Sequence, residues 1–149
     1  HLYFQRLTSL FKPTLSGTQI EFRYQLPKSN FELSIDPNLL EQALINLLKN
    51  AKEAVNTNFG EIDLIVEVQR NDDTENGKVD ITIRDNGGGM TQEIQDQMFI
   101  PFYTTKSSGS GVGLSLVKQI VQAHKGEIGF TTDQNTGTTE FTIKLSSKV

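Results

Sequence analysis

Cysteine and tryptophan are absent from this 149-residue sequence, and histidine occurs only twice. Without cysteine there are no disulfides, no thiolate metal sites and no cysteine nucleophile, which fits a reducing compartment. His1 and His124 stand far apart in sequence, which argues against a histidine zinc site. Basic residues are in deficit, with 14 Lys and Arg against 18 Asp and Glu, and the net charge of −4 argues against a nucleic-acid partner. No apolar run approaches the roughly 20 residues that span a bilayer, and no signal-peptide pattern opens the chain. What remains is ordinary: 36% hydrophobic and 21% charged residues, as in a soluble globular domain with one core. A first residue that is His rather than Met reads as a fragment or a processed product. "LYFQ" also matches part of a protease-cleavage tag, but Leu2, Leu7, Leu10 and Phe11 carry a helical apolar pattern through it.

Residues 2–16 read as a short helix ending near Pro13. "TQIEFRYQL" alternates Ile20, Phe22, Tyr24 and Leu26 as a half-buried strand, and "FELSI" reads as a second strand paired to it across the turn "PKSN". The strongest helix runs from Asp36 to about Thr57: Asp36 suits the N-cap, Pro37 the first turn, and Gly60 lies just past the end. "EIDLIVEVQR" and "KVDITIRD" are long strands joined by "NDDTENG". That loop has a partial calcium-loop pattern from Asp72, with Gly77 in sixth place, but Ile83 stands where the twelfth position needs glutamate. A short helix from about Thr91 to Met98, a helix from Gly111 to Lys125, and strands "EIGFTT" and "TTEFTIKL" around the turn "DQNTG" complete the chain. Antiparallel-looking strand pairs with helices between them predict an α+β two-layer sandwich with helices on one face.

Three stretches can carry chemistry. Asn46 and Asn50, four apart on the long helix, share a face at the margin of the apolar arc built from Leu39, Leu40, Ala43, Leu44, Leu47 and Leu48. They are either solvated amides or carbonyl donors to a hard cation such as Mg²⁺. "RDNGGGM" follows a strand directly. It is either a turn or a place where Asp85 accepts from an exocyclic amine while Gly87, Gly88 and Gly89 let the backbone pass close to a flat ligand. "PFYTTKSSGSGVGLSLVKQIVQAHKG" leads into a helix whose first N–H groups suit phosphate. It fits neither common nucleotide signature: no glycine stands five residues before Lys106, and Leu114 falls where a dinucleotide fingerprint needs its third glycine.

The order of these motifs is more telling than any one of them. The chain resembles the ATP-binding catalytic domain of sensor histidine kinases, within the wider gyrase–Hsp90–histidine kinase–MutL group. "INLLKNAKEAV" resembles the N box, "DNGGGM" the G1 box, "MFIPFYTTK" the F box, "GSGVGLSLVKQIV" the G2 box, and "GTTEFTIKL" the last strand. "NAKEA" with "PFYTTK" is most similar to the nitrogen-regulation type. The resemblance covers nearly all of residues 1–149 as one domain. It implies the Bergerat ATP-binding fold, with a mixed, mainly antiparallel sheet, and makes residues 1–16 a candidate connecting helix from a dimerisation domain.

It also implies a set of roles. Asp85 accepts from the adenine amine, Asn50 ligates Mg²⁺, and Asn46 supports the metal or its water. Asn46, Asn50 and Lys106 form the catalytic set. Residues 99–110 form an ATP lid, with Tyr103 near the nucleotide and Thr104, Thr105, Lys106 and Ser110 reaching the phosphates. Gly87, Gly89, Gly109, Gly111 and Gly113 give backbone access, beside Val112 and Leu114 at the helix start, and Thr138 supports the adenine pocket. For Glu53 a salt bridge or a surface position is as good a reading as a catalytic one, and His124 ends its helix, where a positive charge suits the dipole.

The implied function is transfer of the γ-phosphate of Mg²⁺-ATP to a histidine on a dimerisation domain outside the chain. A response regulator would act downstream, and the full-length protein would be a homodimer with this part in the cytoplasm, with or without an inner-membrane anchor. Three rivals share the fold: an ATPase of the Hsp90 or MutL kind, whose catalytic glutamate position holds Asn46 here; an anti-sigma-type serine kinase; and a pseudokinase that uses nucleotide as a switch or scaffold.

Overall fold

The computed structural model describes residues 1–56, 58–70, 76–104 and 113–148. Helix α1 (Leu2–Phe11) runs into a 3₁₀ turn at Lys12–Leu15; then come β1 (Glu21–Gln25), β2 (Glu32–Leu33), α2 (Pro37–Ala54), β3 (Glu61–Arg70), β4 (Asn76–Asp85), α3 (Gln92–Gln97), α4 (Gly113–Ala123), β5 (Glu127–Asp133) and β6 (Thr138–Lys148). The expected α+β two-layer sandwich is present, with one mixed, mainly antiparallel six-stranded sheet. Strands run in the order β1-β3-β4-β6, and β5 and β2 share the far edge of β6.

One expectation fails here. The strands on either side of "PKSN" do not pair with each other. β1 lies parallel to β3, from Glu21 opposite Glu61 to Gln25 opposite Ile65, while β2 lies antiparallel to the end of β6 on the other side of the sheet. A parallel neighbour needs a crossover, and α2 supplies it. The chain between β1 and β2 therefore crosses the end of the sheet instead of turning back.

Alternation in β3, β4 and β6 places Ile62, Leu64, Val66, Val79, Ile81, Ile83, Phe141, Ile143 and Leu145 on the covered face. Against it pack Leu40, Ala43, Leu44, Leu47, Leu48 and Ala51 of α2 and Val117, Ile120 and Val121 of α4. Helix α2 starts sharply because the Asp36 carboxylate accepts from the N–H groups of Asn38 (2.8 Å) and Leu39 (3.1 Å).

His124 fastens α4 to this same start. Its Nδ1 lies 2.8 Å from the carbonyl of Ile120, and the Asp36 N–H donates to its Nε2 at 3.2 Å. A carbonyl only accepts and an amide N–H only donates, so Nδ1 carries the hydrogen and Nε2 offers its lone pair. His124 stands just past the end of α4, as expected, and its ring is a clasp between the end of α4 and the start of α2.

Ser147, on the covered face of β6 between Leu33 and Gly77, is 6% exposed, and among the described residues its hydroxyl has no hydrogen-bond partner. A buried, unpaired hydroxyl costs about 1 kcal/mol or more. Ser147→Ala is therefore expected to raise stability by about 1 kcal/mol, seen as a higher urea midpoint with an unchanged slope.

Candidate functional site

The C-terminal end of β4 carries Asp85 into an open cleft between the sheet and the last turns of α2. Leu47, Asn50, Ala51, Ala54, Ile83, Asp85, Gly87, Gly89, Met90, Thr139 and Phe141 line it. Most of this wall is apolar. Asp85 is only 6% exposed, and its Oδ1 accepts from the Gly87 N–H at 2.9 Å. Burial pushes its carboxyl up from 3.8 to about 6, and the Gly87 hydrogen bond pulls in the opposite direction without cancelling the rise.

The turn after Asp85 is built for close approach. A Cβ on Gly87 would stand 2.7 Å from both the Cβ and the carbonyl oxygen of Ala54, so the turn lies directly on the end of α2. Gly89 has φ +79°, where L side chains are strained, and a Cβ there would meet the Asp133 carbonyl at 3.0 Å. Asn86 fixes the turn from outside: its Oδ1 accepts from Glu61 N–H at 2.8 Å and its Nδ2 donates to the Phe59 carbonyl at 3.1 Å. On the other side, Gly88 N–H donates to the Gly137 carbonyl at 2.9 Å, and Met90 N–H donates to the Thr132 hydroxyl at 2.8 Å.

The cleft thus gathers Asn50, Asp85, Gly87 and Gly89 from the sequence-based candidates. Asn46 stands one turn before Asn50 on α2, half-buried and outside the lining, and Tyr103, Thr104, Gly113 and Leu114 do not line the cleft either. Thr105, Lys106, Gly109, Ser110, Gly111 and Val112 lie outside the described residues.

Thr138 is on the open face of β6, its hydroxyl 2.9 Å from that of Thr136. Its neighbour Thr139 faces the cleft instead, because the ladder puts Thr139 opposite Asp85 and side chains alternate. The threonine that the string "GTTEF" contributes to the cleft is the second, not the first. Met90, Phe141, Ile83 and the small residues Ala51 and Ala54 were not singled out by sequence. Strand alternation marks Ile83 and Phe141, and helical spacing marks Ala51 and Ala54, but both patterns mark core as readily as site.

A mostly apolar cleft with one buried carboxylate suits a flat heterocycle bearing an amine. The amide oxygens on α2 suit a metal that arrives with phosphates. Among the described residues no group of three or more His, Asp or Glu can hold an ion unaided.

The histidine kinase-, DNA gyrase B- and HSP90-like ATPase family model matches residues 35–149. The chain belongs to this family. The family implies ATP binding. Over 146 residues the chain is 35% identical to the signal transduction histidine-protein kinase AtoS of Escherichia coli K12, covering 93% of the chain and 23% of AtoS. It is 33% identical over 118 residues to the sensory histidine kinase/phosphatase NtrB of Escherichia coli O157:H7, covering 76% of the chain and 33% of that protein. The chain therefore spans only a quarter to a third of these relatives. Among solved structures, the nucleotide-free catalytic domain of the histidine kinase ThkA superposes with a TM-score of 0.81 at 27% identity, covering 96% of the chain and 89% of that domain. A mycobacterial sensor histidine kinase, MprB, shares the fold with a TM-score of 0.81 at 23% identity. This ATPase family is the one that the order of the sequence motifs resembles, and the stretches resembling the N box, the G1 box and the last strand contribute residues to the cleft.

Proposed function

We propose that the chain is the ATP-binding catalytic domain of a two-component sensor histidine kinase of the nitrogen-regulation type. It holds Mg²⁺-ATP so that the γ-phosphate can pass to a histidine on a dimerisation domain outside this chain. The observation that carries the reading is the buried carboxylate of Asp85 in a mostly apolar cleft that Asn50 of α2 also lines. In this reading Asp85 accepts from the adenine amine, and Gly87 and Gly89 admit the ring. Asn50, with Asn46 one turn earlier, meets the metal. Lys106, Thr104, Thr105 and Ser110 meet the phosphates, with Tyr103 beside the nucleotide and Gly109, Gly111, Val112, Gly113 and Leu114 at the helix start. Mg²⁺ supplies charge neutralisation on the phosphates when bound. A response regulator receives the phosphoryl group downstream, and the full-length protein acts as a homodimer with this domain in the cytoplasm.

Asn50 provides the test. Asn50→Ala removes an oxygen donor and leaves the adenine slot in place. It is expected to weaken Mg²⁺-ATP about tenfold or more, while adenosine binding changes by less than about twofold. Calorimetry on the two ligands checks this. An equal loss for both would assign Asn50 to packing and remove the metal role.

A further inference from the structure

Behind Thr139 lies a second threonine, Thr132 of β5, which does not line the cleft. The two are cross-strand partners, with their hydroxyl oxygens 3.0 Å apart. A hydroxyl has one hydrogen to give and two lone pairs to offer. The Met90 N–H, 2.8 Å away, can only donate, so it takes one lone pair of Thr132. The Thr138 carbonyl can only accept, so at 3.3 Å it takes the single hydrogen. One lone pair is left for Thr139, and the arrangement that satisfies all three contacts has Thr139 donating to it. The hydrogen of Thr139 is thus turned away from the cleft, and only its lone pairs remain for a ligand. Asp85, its direct partner across the ladder on β4, lines the same cleft.

We propose that Thr132 is a specificity-determining positioning residue: by holding the proton of Thr139, it makes the polar end of the cleft a pair of acceptors that together read the two hydrogens of one exocyclic amine. This inference rests on the nucleotide reading above. It adds a residue that touches no ligand, and it explains why a strand outside the slot puts a hydroxyl at this position. Through Met90 the same hydroxyl also ties the glycine turn to β5, so recognition of the amine and placement of the turn share one oxygen atom.

The test compares ATP with purine riboside triphosphate, which lacks the 6-amino group and is otherwise unchanged. In the wild-type chain with Mg²⁺, calorimetry is expected to show clear preference for ATP. Thr132→Val keeps the shape and removes the hydroxyl, which frees the Thr139 proton to swing into the cleft. The ATP preference is expected to fall about fivefold, whereas Thr132→Ser keeps it. Equal weakening of both nucleotides in Thr132→Val would make Thr132 merely structural and overturn the proposal, as would loss of preference in Thr132→Ser. If Thr132→Val does not fold, Thr139→Val decides: it removes one acceptor, so ATP must weaken more than the analogue, and equal weakening again overturns the proposal. A wild-type chain that binds the two nucleotides equally would instead sink the adenine reading itself.

Discussion

Asp85→Asn is expected to make the empty domain more stable at pH 7 and to remove most of its affinity for ATP. The two effects share one cause. The carboxyl of Asp85 sits about two units above its ordinary value because burial penalises its charge. In the unfolded chain the group ionises near 3.8, and in the fold near 6, so between these values the folded state holds a proton that the unfolded state has lost. The favourable contribution of the protonated group is complete below 3.8 and disappears as pH rises through about 6. At pH 7 the empty protein therefore carries a buried charge that costs roughly 1–3 kcal/mol, since part of the group is still reached by solvent. Asparagine has no charge to bury, so the variant should gain about that much at pH 7 and only about 0.5 kcal/mol at pH 4, where the unfolded chain is only partly ionised. Chemical denaturation at the two pH values measures both.

The binding loss follows from the same turn. Gly87 N–H engages Oδ1, so in the variant the amide oxygen stays on Gly87 and the NH₂ group is left facing the ligand. An amine then meets an amine, and ATP affinity is expected to fall at least about 100-fold. In the wild type, ATP affinity should be flat above pH 6 and fall up to about tenfold per unit below it, because the proton competes with the amine for the carboxylate. A variant with unchanged stability at pH 7, or with ATP affinity intact, would remove Asp85 from this role.

The conflict between stability and recognition at Asp85 also shows which parts of the molecule are legible in the sequence. Helix α2 is written plainly: Asp36 caps it, Pro37 opens it, and the apolar arc from Leu40 to Ala51 repeats at helical spacing. Strands β3, β4, β5 and β6 are equally clear, because one face is covered and their side chains alternate. Alternation does not name a strand's neighbour, so it does not reveal that β1 pairs with β3 and β2 with β6. The same limit applies at Thr138 and Thr139. Two adjacent identical residues face opposite sides of the sheet, and only the register with Asp85 decides which faces the cleft. Thr132 is further still from legibility. A threonine in a strand is ordinary, and its importance lies in three hydrogen bonds to residues distant in sequence or on a neighbouring strand.

The chain on its own, given Mg²⁺ and radiolabelled ATP, is expected to bind nucleotide and take up no label. Phosphoryl transfer requires a nucleophile in line with the γ-phosphate at near-attack distance, and the enzyme contributes chiefly position and charge. His124 cannot meet that requirement. Both of its ring nitrogens are engaged, Nδ1 with Ile120 and Nε2 with the N–H of Asp36, and freeing them would unfasten α4 from α2. It also sits just past the end of an 11-residue helix, about 16 Å from the helix start where the phosphates belong in our reading. His1 lies with its Nε2 3.3 Å from the Ser29 carbonyl. Neither histidine is followed by an acidic residue: Leu2 and Lys125 stand in those places. Supplying a dimerisation domain with a helix-borne histidine followed by an acidic residue should raise labelling at least about 100-fold, by converting a missing nucleophile into a positioned one. The label should be stable in base and lost in acid, and Asn50→Ala in the catalytic chain should suppress it. Label found on His124 or His1 of the isolated chain would contradict the clasp and the proposed division of labour. So would a longer protein that binds ATP, carries such a histidine and remains unlabelled.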